Sequence, residues 1–477
     1  MRVRALFFAA IALLIVLVAR PAQAAPDAED GPVLVVGLTG QYPPFNFFDE
    51  QGELSGFDVD FARAVCRETH RRCEFRTLQW DGIIGALLAG RIDAIVGSMA
   101  VTPERSKAVL FSAPYYESGP ELFVRDGAGD ASRPGFAIGV TLGTTYEKTV
   151  HERFPKAEVR VFKGDVQALA DMGAGRLDGL VTDRLVGAYM ARKAGVVMRP
   201  DGPPIYEEKM GIPVAPSNTA LHAEIDAAVK RIRASAEYGE LQKKWFGELD
   251  SPGAAPAAAP SVAFGRAAGL LAHGLLATIL VCIVGLGLGI LLAIGVAAAL
   301  VFGGRLARPL AVLVDFIRAT PFMVQLFAIY FGLPSLGLKV DAWTSAVAAI
   351  SIQSAAYLAE VIKTSYASVP RGQHQAARAL GLRRMEALRH VVLPQMMPVM
   401  SVPVLNTIVA MIKDSAIVSV IGVYELTLQA QQLISATFQP MVYYLAAAFL
   451  YFLVTYPILL AGRRLEARFK ARGLLHA

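Results

Sequence analysis

Five strongly apolar stretches in the C-terminal half of this 477-residue chain limit what it can fold into. They cover about residues 268–302, 309–333, 342–365, 396–421 and 440–462. A helix needs about 20 predominantly apolar residues to cross the hydrocarbon core of a bilayer, and each stretch is long enough to be a candidate. The sequence therefore predicts an all-α membrane domain of about five transmembrane helices within residues 263–477.

The charge distribution predicts how these helices are oriented. From Val262 onward there are 17 Lys and Arg against 7 Asp and Glu, which gives +10 there and −4 before it in a chain of +6. If the first span starts outside, the segment after it, the segment 371–395 and the C-terminal tail are all cytoplasmic and all basic, which is the usual pattern. We expect a multi-pass protein of the cytoplasmic (inner) membrane, in contact with lipid. Nucleic-acid binding is not expected, because the arginines flank apolar spans.

The N-terminus predicts export. Two arginines precede an apolar run over residues 5–19, and a small-residue cleavage site follows at 22–24. This order is typical of a secretory signal peptide, here residues 1–24, whereas an uncleaved anchor would need a longer apolar run. Cys66 and Cys73 then lie in the exported region and Cys282 lies in the first apolar span. An oxidising compartment favours a Cys66 to Cys73 disulfide, with two buried thiols as the alternative.

Residues 33–250 predict a soluble α/β domain ahead of the spans. Short β-branched runs, as at 33–38 and 136–140, alternate with helical patterns, as at 57–71, and this alternation indicates largely parallel sheets covered by helices. We expect two lobes, the first over about 33–118 and 212–250 and the second over about 125–205, with hinges near 119–124 and 205–213. A Pro/Ala-rich linker, 251–262, ends the domain.

An internal echo predicts where this domain binds a ligand. AGRIDAIVGS at 89–98 recurs as AGRLDGLVTD at 174–183, so Ser98 and Asp183 occupy matching ends of strands. Ligands of open α/β sheets bind beyond the carboxyl ends of the strands. The two residues are therefore expected on facing walls of a cleft. The alternative is that the two segments are alike by chance, because many helix-turn-strand units have similar sequences.

The residues near these strand ends suit a zwitterion. Arg105, just after the N-cap and proline pair 102–103, can grip a carboxylate in a bidentate manner, and the segment 143–145 offers helix N-terminal donors from the other lobe. Asp183 can hold an ammonium group. Tyr42 and Trp80 are aromatic residues in predicted loops, where they can flank a ligand side chain or pack in the core.

These segments resemble the periplasmic polar-amino-acid-binding proteins of ABC transporters. The resemblance covers nearly all of residues 33–250 and rests on GFDVDFARAVC at 56–66, WDGIIGALLAGRIDAIVGSMAVTPERS at 80–106 and YGELQKKWFG at 238–247. It implies a two-lobed Venus-flytrap fold, and the cysteine pair matches a disulfide seen in some members. The implied ligand residues are Tyr42 and Trp80 for the side chain, Ser98, Arg105 and Thr145 for the α-carboxylate, and Asp183 for the α-ammonium.

Two residues depart from that pattern. Thr39 stands where binders of cationic amino acids often have aspartate. Ala100 stands where Ser or Thr is common, which leaves only its backbone N–H for the ligand carboxylate. The sequence therefore implies an amino-acid ligand without naming which one.

The membrane half resembles the permease subunits of the same transporters over essentially all of residues 265–470. The likeness rests on RATPFMVQLFAIYFGLP at 318–334, SAAYLAE at 354–360, IKDSAIVSVIG at 412–422 and the basic segment 371–395. That segment is predicted to form two short helices hinged at Gly381, and it looks like the cytoplasmic loop that docks on the ATPase in this family. The residues that carry this coupling role are Gln375, where the family usually has glutamate, with Ala376, Ala377, Gly381, Leu393 and Pro394.

The resemblance implies partners. No G-x-x-x-x-G-K-S/T phosphate loop occurs in the chain, so ATP and Mg²⁺ are expected on a separate ATPase subunit, in two copies, with this chain as a homodimer or paired with another permease. No metal site, cofactor or catalytic residue is expected here.

Two alternative functions and the roles of three charged residues stay open. A ligand-gated ion channel and a transmembrane sensor are the alternative functions, but no selectivity filter and no cytoplasmic signalling domain is apparent. The charged residues Glu360, Lys413 and Asp414, within or beside spans, have no assigned role.

Overall fold

The computed structural model describes residues 31–193, 196–247, 262–336, 338 and 340–471. The predicted signal peptide and the predicted linker up to residue 261 lie outside the described residues. The described chain forms two compact units. The α/β unit contains the residues up to Leu271 and also Gln429–Leu445, and the helical unit contains Ala272–Leu428 and the residues from Ala446 onward. The finer domain limits stay predictions.

Short strands and helices alternate along the α/β unit, as its hydrophobic periodicity predicts. The strands are β1 Val33–Leu38, β2 Gln41–Tyr42, β3 Asn46–Phe48, β4 Leu54–Ser55, β5 Arg72–Thr77, β6 Ala94–Ile95, β7 Leu110–Phe111, β8 Tyr116–Ser118, β9 Pro120–Arg125, β10 Ala137–Thr141, β11 Glu158–Phe162, β12 Gly179–Asp183, β13 Met198–Pro200, β14 Glu208–Met210 and β15 Pro213–Val214. The helices are α1 Phe57–Glu68, α2 Ile83–Leu88, α3 Pro103–Ser106, α4 Thr145–Arg153, α5 Asp165–Gly173, α6 Arg184–Lys193, α7 Thr219–Arg233 and α8 Ala236–Phe246.

The first lobe is built on a five-stranded sheet with the order β5-β1-β6-β15-β7. Strand β1 pairs in parallel with both β5 and β6, and most of its apolar side chains are buried. The disulfide between Cys66 and Cys73 joins α1 to β5 with the Cα atoms 5.8 Å apart, which confirms the predicted pair. An aromatic core, in which the rings of Phe61 and Tyr115 stack with centroids 4.8 Å apart, fixes α1 on this lobe.

The second lobe repeats this plan with the strand order β11-β10-β12-β9-β13. Strand β10 pairs in parallel with β11 and β12, and β9 runs antiparallel to β12. Its core packs Phe136 and Ile138 near β10 against Val150 of α4. In both lobes the carboxyl ends of the parallel strands therefore lie along one edge of the sheet, where ligands usually bind.

The chain passes between the lobes at two neighbouring strands. Strand β8 leads from the first sheet to the second, β14 leads back, and the two pair antiparallel with Glu208 opposite Ser118. These strands lie in or beside the segments predicted as hinges. Paired crossing strands of this kind allow the lobes to open and close through small changes of backbone torsion.

The helical unit has a core in which several long helices meet, with Val281, Leu326, Ile350 and Val418 buried together. Between its α-helices lie short 3₁₀ segments, Gly304–Leu306 and Ser415–Ile421, and π-helical turns, Ala328–Gly332 and Leu388–Val392. The α-helices from Phe264 onward are α9 Phe264–Phe302, α10 Ala307–Ala319, α11 Phe322–Phe327, α12 Leu333–Ser335, α13 Ala342–Ser368, α14 Arg371–Ala379, α15 Arg384–Ala387, α16 Leu393–Asp414, α17 Leu426–Thr437 and α18 Pro440–Ala471. Of these, α9, α17 and α18 belong in part to the α/β unit.

The described residues contain four helical segments that are long and apolar enough to cross a bilayer. These are Phe264–Phe302, Ala342–Ser368, Arg384–Ile421 and Pro440–Ala471. The second predicted span, 309–333, is not one straight helix, because Gly304–Ala319 and Phe322–Gly332 meet at 106°. Counting that bent pair as one crossing gives the predicted five.

The bend in the second apolar stretch has a local cause. Thr320 leaves the helical conformation, with ψ 139°, directly before Pro321. Proline disfavours helical geometry at the residue that precedes it and supplies no N–H to continue the hydrogen-bond ladder. The apolar composition of this stretch predicts one span, whereas its proline predicts the break in the helix.

Candidate ligand-binding cleft

The cleft of the α/β unit is lined by residues that directly follow its parallel strands. In the first lobe these include Thr39 after β1, Trp80 after β5 and Ser98 after β6. In the second lobe Thr141 ends β10, Thr144 to Tyr146 follow that strand, and Lys163 to Asp165 follow β11. Parallel strands present their carboxyl ends on the same edge, so both lobes direct these loops to one crevice.

Seven of the eight predicted ligand residues line this cleft. They are Thr39, Tyr42, Trp80, Ser98, Ala100, Arg105 and Thr145. The eighth, Asp183, ends β12 with 1% of its surface exposed and is not among the lining residues. The structure therefore brings seven of the predicted ligand residues together and leaves the predicted ammonium partner buried behind the surface of the cleft.

Arg105 joins the two walls of the cleft. Its Nη1 donates to the Ala100 carbonyl oxygen at 3.1 Å, and its Nη2 donates across the cleft to the Gly143 carbonyl oxygen at 3.2 Å. Trp80 Nε1 donates to the same Gly143 oxygen at 3.3 Å, and the guanidinium lies over the Trp80 ring, 5.6 Å from its centroid. These contacts hold the lobes together, and a ligand carboxylate would offer Arg105 a charged acceptor in their place.

The N-cap prediction at the start of α3 is confirmed. The Thr102 side chain accepts a hydrogen bond from the Arg105 backbone N–H at 3.2 Å, and Pro103 occupies the first helical position. This local structure fixes the backbone from which the Arg105 side chain reaches the cleft.

Ser98 is held by a buried acid that sequence reasoning missed. Asp58, fully buried on α1, accepts hydrogen bonds from Ser98 Oγ at 3.1 Å, Tyr115 Oη at 2.6 Å and Asn46 Nδ2 at 2.7 Å. Burial raises the pKa of Asp58 to about 6, and these three donors oppose the rise. The Ser98 hydroxyl therefore serves the scaffold of the first lobe. The sequence signal that could have found Asp58 is its position within the segment GFDVDFARAVC at 56–66.

The departure at Thr39 belongs to the same network. The Thr39 hydroxyl donates to Asn46 Oδ1 at 2.8 Å, and the Gly40 N–H donates to that oxygen at 2.9 Å. Asn46 in turn donates to Asp58. The side chain that stands in place of the aspartate of many cation binders is thus tied to its own lobe.

Asp165 is a second acid that sequence reasoning missed. It begins α5 directly after β11, lines the cleft, and accepts hydrogen bonds from Thr141 Oγ1 at 2.6 Å and Thr182 Oγ1 at 3.0 Å. Burial raises its pKa, and both hydroxyl groups oppose the rise. The signal that could have found it is its position after a parallel strand.

Asp183 lies next to Thr182 and is stabilised by backbone. Its Oδ1 accepts from the Leu185 N–H at 2.8 Å. Burial raises the pKa of Asp183 to about 7, and backbone hydrogen bonds from the start of α6 oppose the rise. A buried carboxyl group that titrates near neutral pH gains most from a cationic partner, so the geometry is compatible with the ammonium role predicted from the resemblance.

Two tyrosines face each other across the cleft. Tyr42 from the first lobe and Tyr146 from the second are hydrogen-bonded through their hydroxyl groups, and burial raises the pKa of both. Tyr42 stacks on Phe45, with ring centroids 5.6 Å apart. The aromatic wall predicted at Tyr42 therefore has a partner, Tyr146, that the sequence did not single out.

Glu208 is the third acid of the cleft and comes from the hinge. It lies on β14, and hydroxyl groups of Thr145 and Tyr206 hydrogen-bond to its carboxylate. Burial raises its pKa, while these hydroxyl groups and the charge of Arg105 lower it. Nothing in its surrounding sequence marks it as a ligand residue.

The basic segment 371–395 of the helical unit forms the predicted pair of short helices. Helix α14 ends before Gly381, whose φ of +77° suits glycine, and α15 follows. Ala377 is buried, whereas Leu380 and Met385 are 80% and 72% exposed. Large exposed apolar side chains on a basic loop are typical of a protein contact surface. The other predicted coupling residues, Gln375, Ala376, Gly381, Leu393 and Pro394, are exposed as well.

Among the charged residues of the spans, Glu360 has a neighbour that accounts for it. Its Oε2 lies 2.6 Å from Lys363 Nζ, one helical turn further along α13. Lys413 and Asp414 end α16, where the helix gives way to a 3₁₀ segment. The ion pair at Glu360 favours a structural role for that residue.

Comparisons with known proteins agree with this division. Residues 34–248 match the bacterial extracellular solute-binding proteins, family 3, and residues 285–471 match the binding-protein-dependent transport system inner membrane component. The first region is 29% identical over 219 residues to an L-cystine-binding protein of Escherichia coli strain K12, which covers 45% of this chain and 82% of the relative.

Two further relatives represent the two regions. An arginine-binding periplasmic protein of Mannheimia haemolytica is 32% identical over 217 residues, 45% of this chain and 91% of the relative. A glutamine transport system permease protein of Escherichia coli strain K12 is 38% identical over 204 residues, 42% of this chain and 93% of the relative. The two-lobed cleft and the apolar helices thus have separate counterparts among transport proteins, and this chain belongs to the polar amino acid ABC transporter family, as a substrate-binding protein fused to a permease.

Proposed function

We propose that this chain captures a polar amino acid outside the cytoplasmic membrane and passes it through its own membrane domain in an ATP-driven importer. The observation that carries the proposal is the charge arrangement of the cleft. Arg105 stands on the first lobe, and the buried acids Asp165 and Asp183 belong to the second. An α-amino acid presents a carboxylate and an ammonium on one carbon, and closing the lobes brings one partner to each group.

The ligand replaces contacts that the lobes otherwise make with each other. Its carboxylate takes the Arg105 donors now directed at the Ala100 and Gly143 carbonyl oxygens, and it also accepts from the backbone N–H groups of Ala100 and Thr145. Its ammonium goes to Asp183. Tyr42 and Trp80 flank the side chain, which favours ligands with an extended, polar side chain.

ATP hydrolysis belongs to a separate subunit in this proposal. The exposed residues of the segment 371–395 dock on that ATPase, with Leu380 and Met385 as apolar anchors inside a basic rim. Two ATPase copies, each with bound ATP and Mg²⁺, serve a homodimer of this chain, because one permease domain supplies half of a translocation path. The positive charge of the segment supports a cytoplasmic position for it.

The experiment is ligand binding and uptake with the full chain. Purified protein in lipid nanodiscs is titrated calorimetrically with each of the proteinogenic amino acids, and vesicles that also contain the partner ATPase are tested for ATP-dependent uptake of whichever one binds. We expect binding of at least one polar amino acid and loss of uptake, with binding retained, in a Leu380→Asp and Met385→Asp double variant. Failure of every amino acid to bind would overturn the proposal.

A further inference from the structure

Tyr206 lies where the chain returns from the second lobe to the first. The neighbouring Ile205 N–H donates to the Pro120 carbonyl oxygen at 2.7 Å, which ties this crossing to the other one. The two crossings also touch through their backbones, because a Cβ atom added to Gly119 would lie only 1.7 Å from the Tyr206 carbonyl oxygen. Gly119 therefore permits a close approach that fixes the backbone of Tyr206 at the hinge.

The side chain of Tyr206 reaches from the hinge to the first turns of α4. Thr149 Oγ1 donates to Tyr206 Oη at 3.3 Å, and Thr145, one helical turn earlier, also lies against this hydroxyl group. Thr145 begins α4, lines the cleft and is a predicted donor to the ligand carboxylate. Tyr206 is not among the lining residues, so its hydroxyl group acts on α4 without touching the space for the ligand.

The hinge strand β14, which follows Tyr206, is bonded to the carboxylate-binding loop of the first lobe. The Val101 N–H donates to the Lys209 carbonyl oxygen at 2.8 Å, and Ala100 pairs antiparallel with the same strand. Arg105 Nη1 in turn donates to the Ala100 carbonyl oxygen at 3.1 Å. The hinge therefore contacts the donors of both lobes, those of the first through backbone and those of the second through the side chain of Tyr206.

We propose that Tyr206 is a positioning residue for the α-carboxylate of the bound amino acid. Its hydroxyl group holds the start of α4 against the hinge, so that the Thr145 N–H meets a carboxylate that Arg105 and the Ala100 N–H already hold. The inference rests on the proposed function, because it needs an amino acid in the cleft. It narrows the substrate class to ligands with a free α-carboxylate, since a carboxamide lacks the charge that these donors recognise.

The test compares an amino acid with its own α-carboxamide. The full chain in nanodiscs is titrated with the proteinogenic amino acid that it binds most tightly, and the α-carboxamide of that amino acid is measured by displacement. We expect the native protein to prefer the carboxylate. Tyr206→Phe keeps the ring and removes the hydroxyl group, so this preference should fall about fivefold, as for the loss of one hydrogen bond. Affinity for the carboxamide should stay close to the native value, which also demonstrates that the variant is folded.

Further variants show whether Tyr206 acts through α4. Thr149→Val removes the partner hydroxyl group at nearly the same volume and should reproduce the loss of affinity for the amino acid. The double variant should lose no more than either single variant, because both substitutions remove the same bond. Tyr238→Phe is the matched control, since its hydroxyl group donates to the Tyr115 carbonyl oxygen at 2.7 Å within the first lobe. It should keep the native preference.

The outcomes separate the two proposals. No binding of any amino acid to the native protein removes the proposed function itself. An unchanged preference in Tyr206→Phe, or an equal loss of the amino acid and its carboxamide, overturns the positioning role and leaves the importer assignment intact. Additive losses in the double variant overturn it as well, because they would mean that Tyr206 and Thr149 act separately.

Discussion

The two lobes of the α/β unit stabilise their strand ends with the same device but present different charges to the ligand. Each lobe has a buried aspartate at the start of a helix, Asp58 in the first lobe and Asp165 in the second. Each of these carboxylates accepts hydrogen bonds from two hydroxyl groups. In the first lobe the last residue of the echoing segment, Ser98, donates to this aspartate. In the second lobe the donor is one residue earlier, Thr182, which leaves the final residue of that segment, Asp183, as an additional acid.

This one-residue difference leaves Ser98 bonded within its own lobe, whereas Asp183 is left for the ligand in the function that we propose. A repeated segment supplies a common framework, and the strand end decides which charge each wall carries. The first wall presents the cation Arg105, whereas the second holds the acids. Closing the two lobes would therefore build the zwitterion site that we propose from two walls that are similar in fold.

The largest effect is expected from removing the cation of the first wall. Arg105→Ala should weaken amino-acid binding about 100-fold or more, because truncating one member of a buried charge pair costs about 2–5 kcal/mol. Titration calorimetry of the full chain measures it. Arg153→Ala, at the exposed end of α4, is the control and should bind as the native protein does. A loss below tenfold would mean that the walls do not divide the charges in this way.

A pH series tests the acid of the second wall. The pKa of Asp183 is raised to about 7 by burial, so ligand binding below that pH must first remove its proton. Affinity should rise about tenfold per pH unit from pH 5.5 to 7 and level off above, with proton uptake by the buffer, and Asp183→Asn should remove this dependence. A flat profile in the native protein would argue against Asp183 as the ammonium partner.

The same shift has the opposite sign for the ligand-free fold. Because the folded pKa of Asp183 lies above its unfolded value, near 3.8, the neutral acid stabilises the fold at low pH, and that stability is lost as pH rises through about 7. Asp183→Asn should therefore gain stability relative to the native protein between these two pH values. Thermal unfolding, monitored by hydrogen exchange in peptides of the second lobe, measures this gain in stability.

The smallest effect concerns the two structural acids. Asp58→Asn leaves three buried donors with a weaker acceptor, whereas Asp165→Asn affects two, so the first lobe should be destabilised about 1 kcal/mol more than the second. Hydrogen exchange reports each lobe separately within the full chain. Equal destabilisation in both variants would show that the count of donors does not decide how strongly each lobe is held.

The sequence predicted the cleft well because strand ends are local features. Apolar runs and the residues that follow them located Trp80, Ser98 and Arg105 without knowledge of tertiary contacts, whereas Thr39 came from the family resemblance. Glu208 could not be found in this way, since it enters the cleft from a hinge strand whose position depends on the pairing of β8 with β14.

The membrane half shows the opposite limitation. Apolar composition over 309–333 predicted a single straight span, yet the local signal of Pro321 overrides it and bends the chain by 106°. Whether a stretch is long and apolar is a property of the whole window, while a break depends on one residue. The sequence therefore contains the signal for the bend, Pro321, but the hydropathy of the whole stretch is the stronger pattern.

The Gly143 carbonyl oxygen has a consequence for how the two lobes separate. Because Arg105 and Trp80 both donate to it from the opposite lobe, opening the cleft breaks two hydrogen bonds to one backbone oxygen. The acceptor belongs to the main chain, so a substitution at position 143 alone does not remove it. In the function that we propose, the loading step would require the release of both bonds, and their combined strength would slow the entry of the next amino acid.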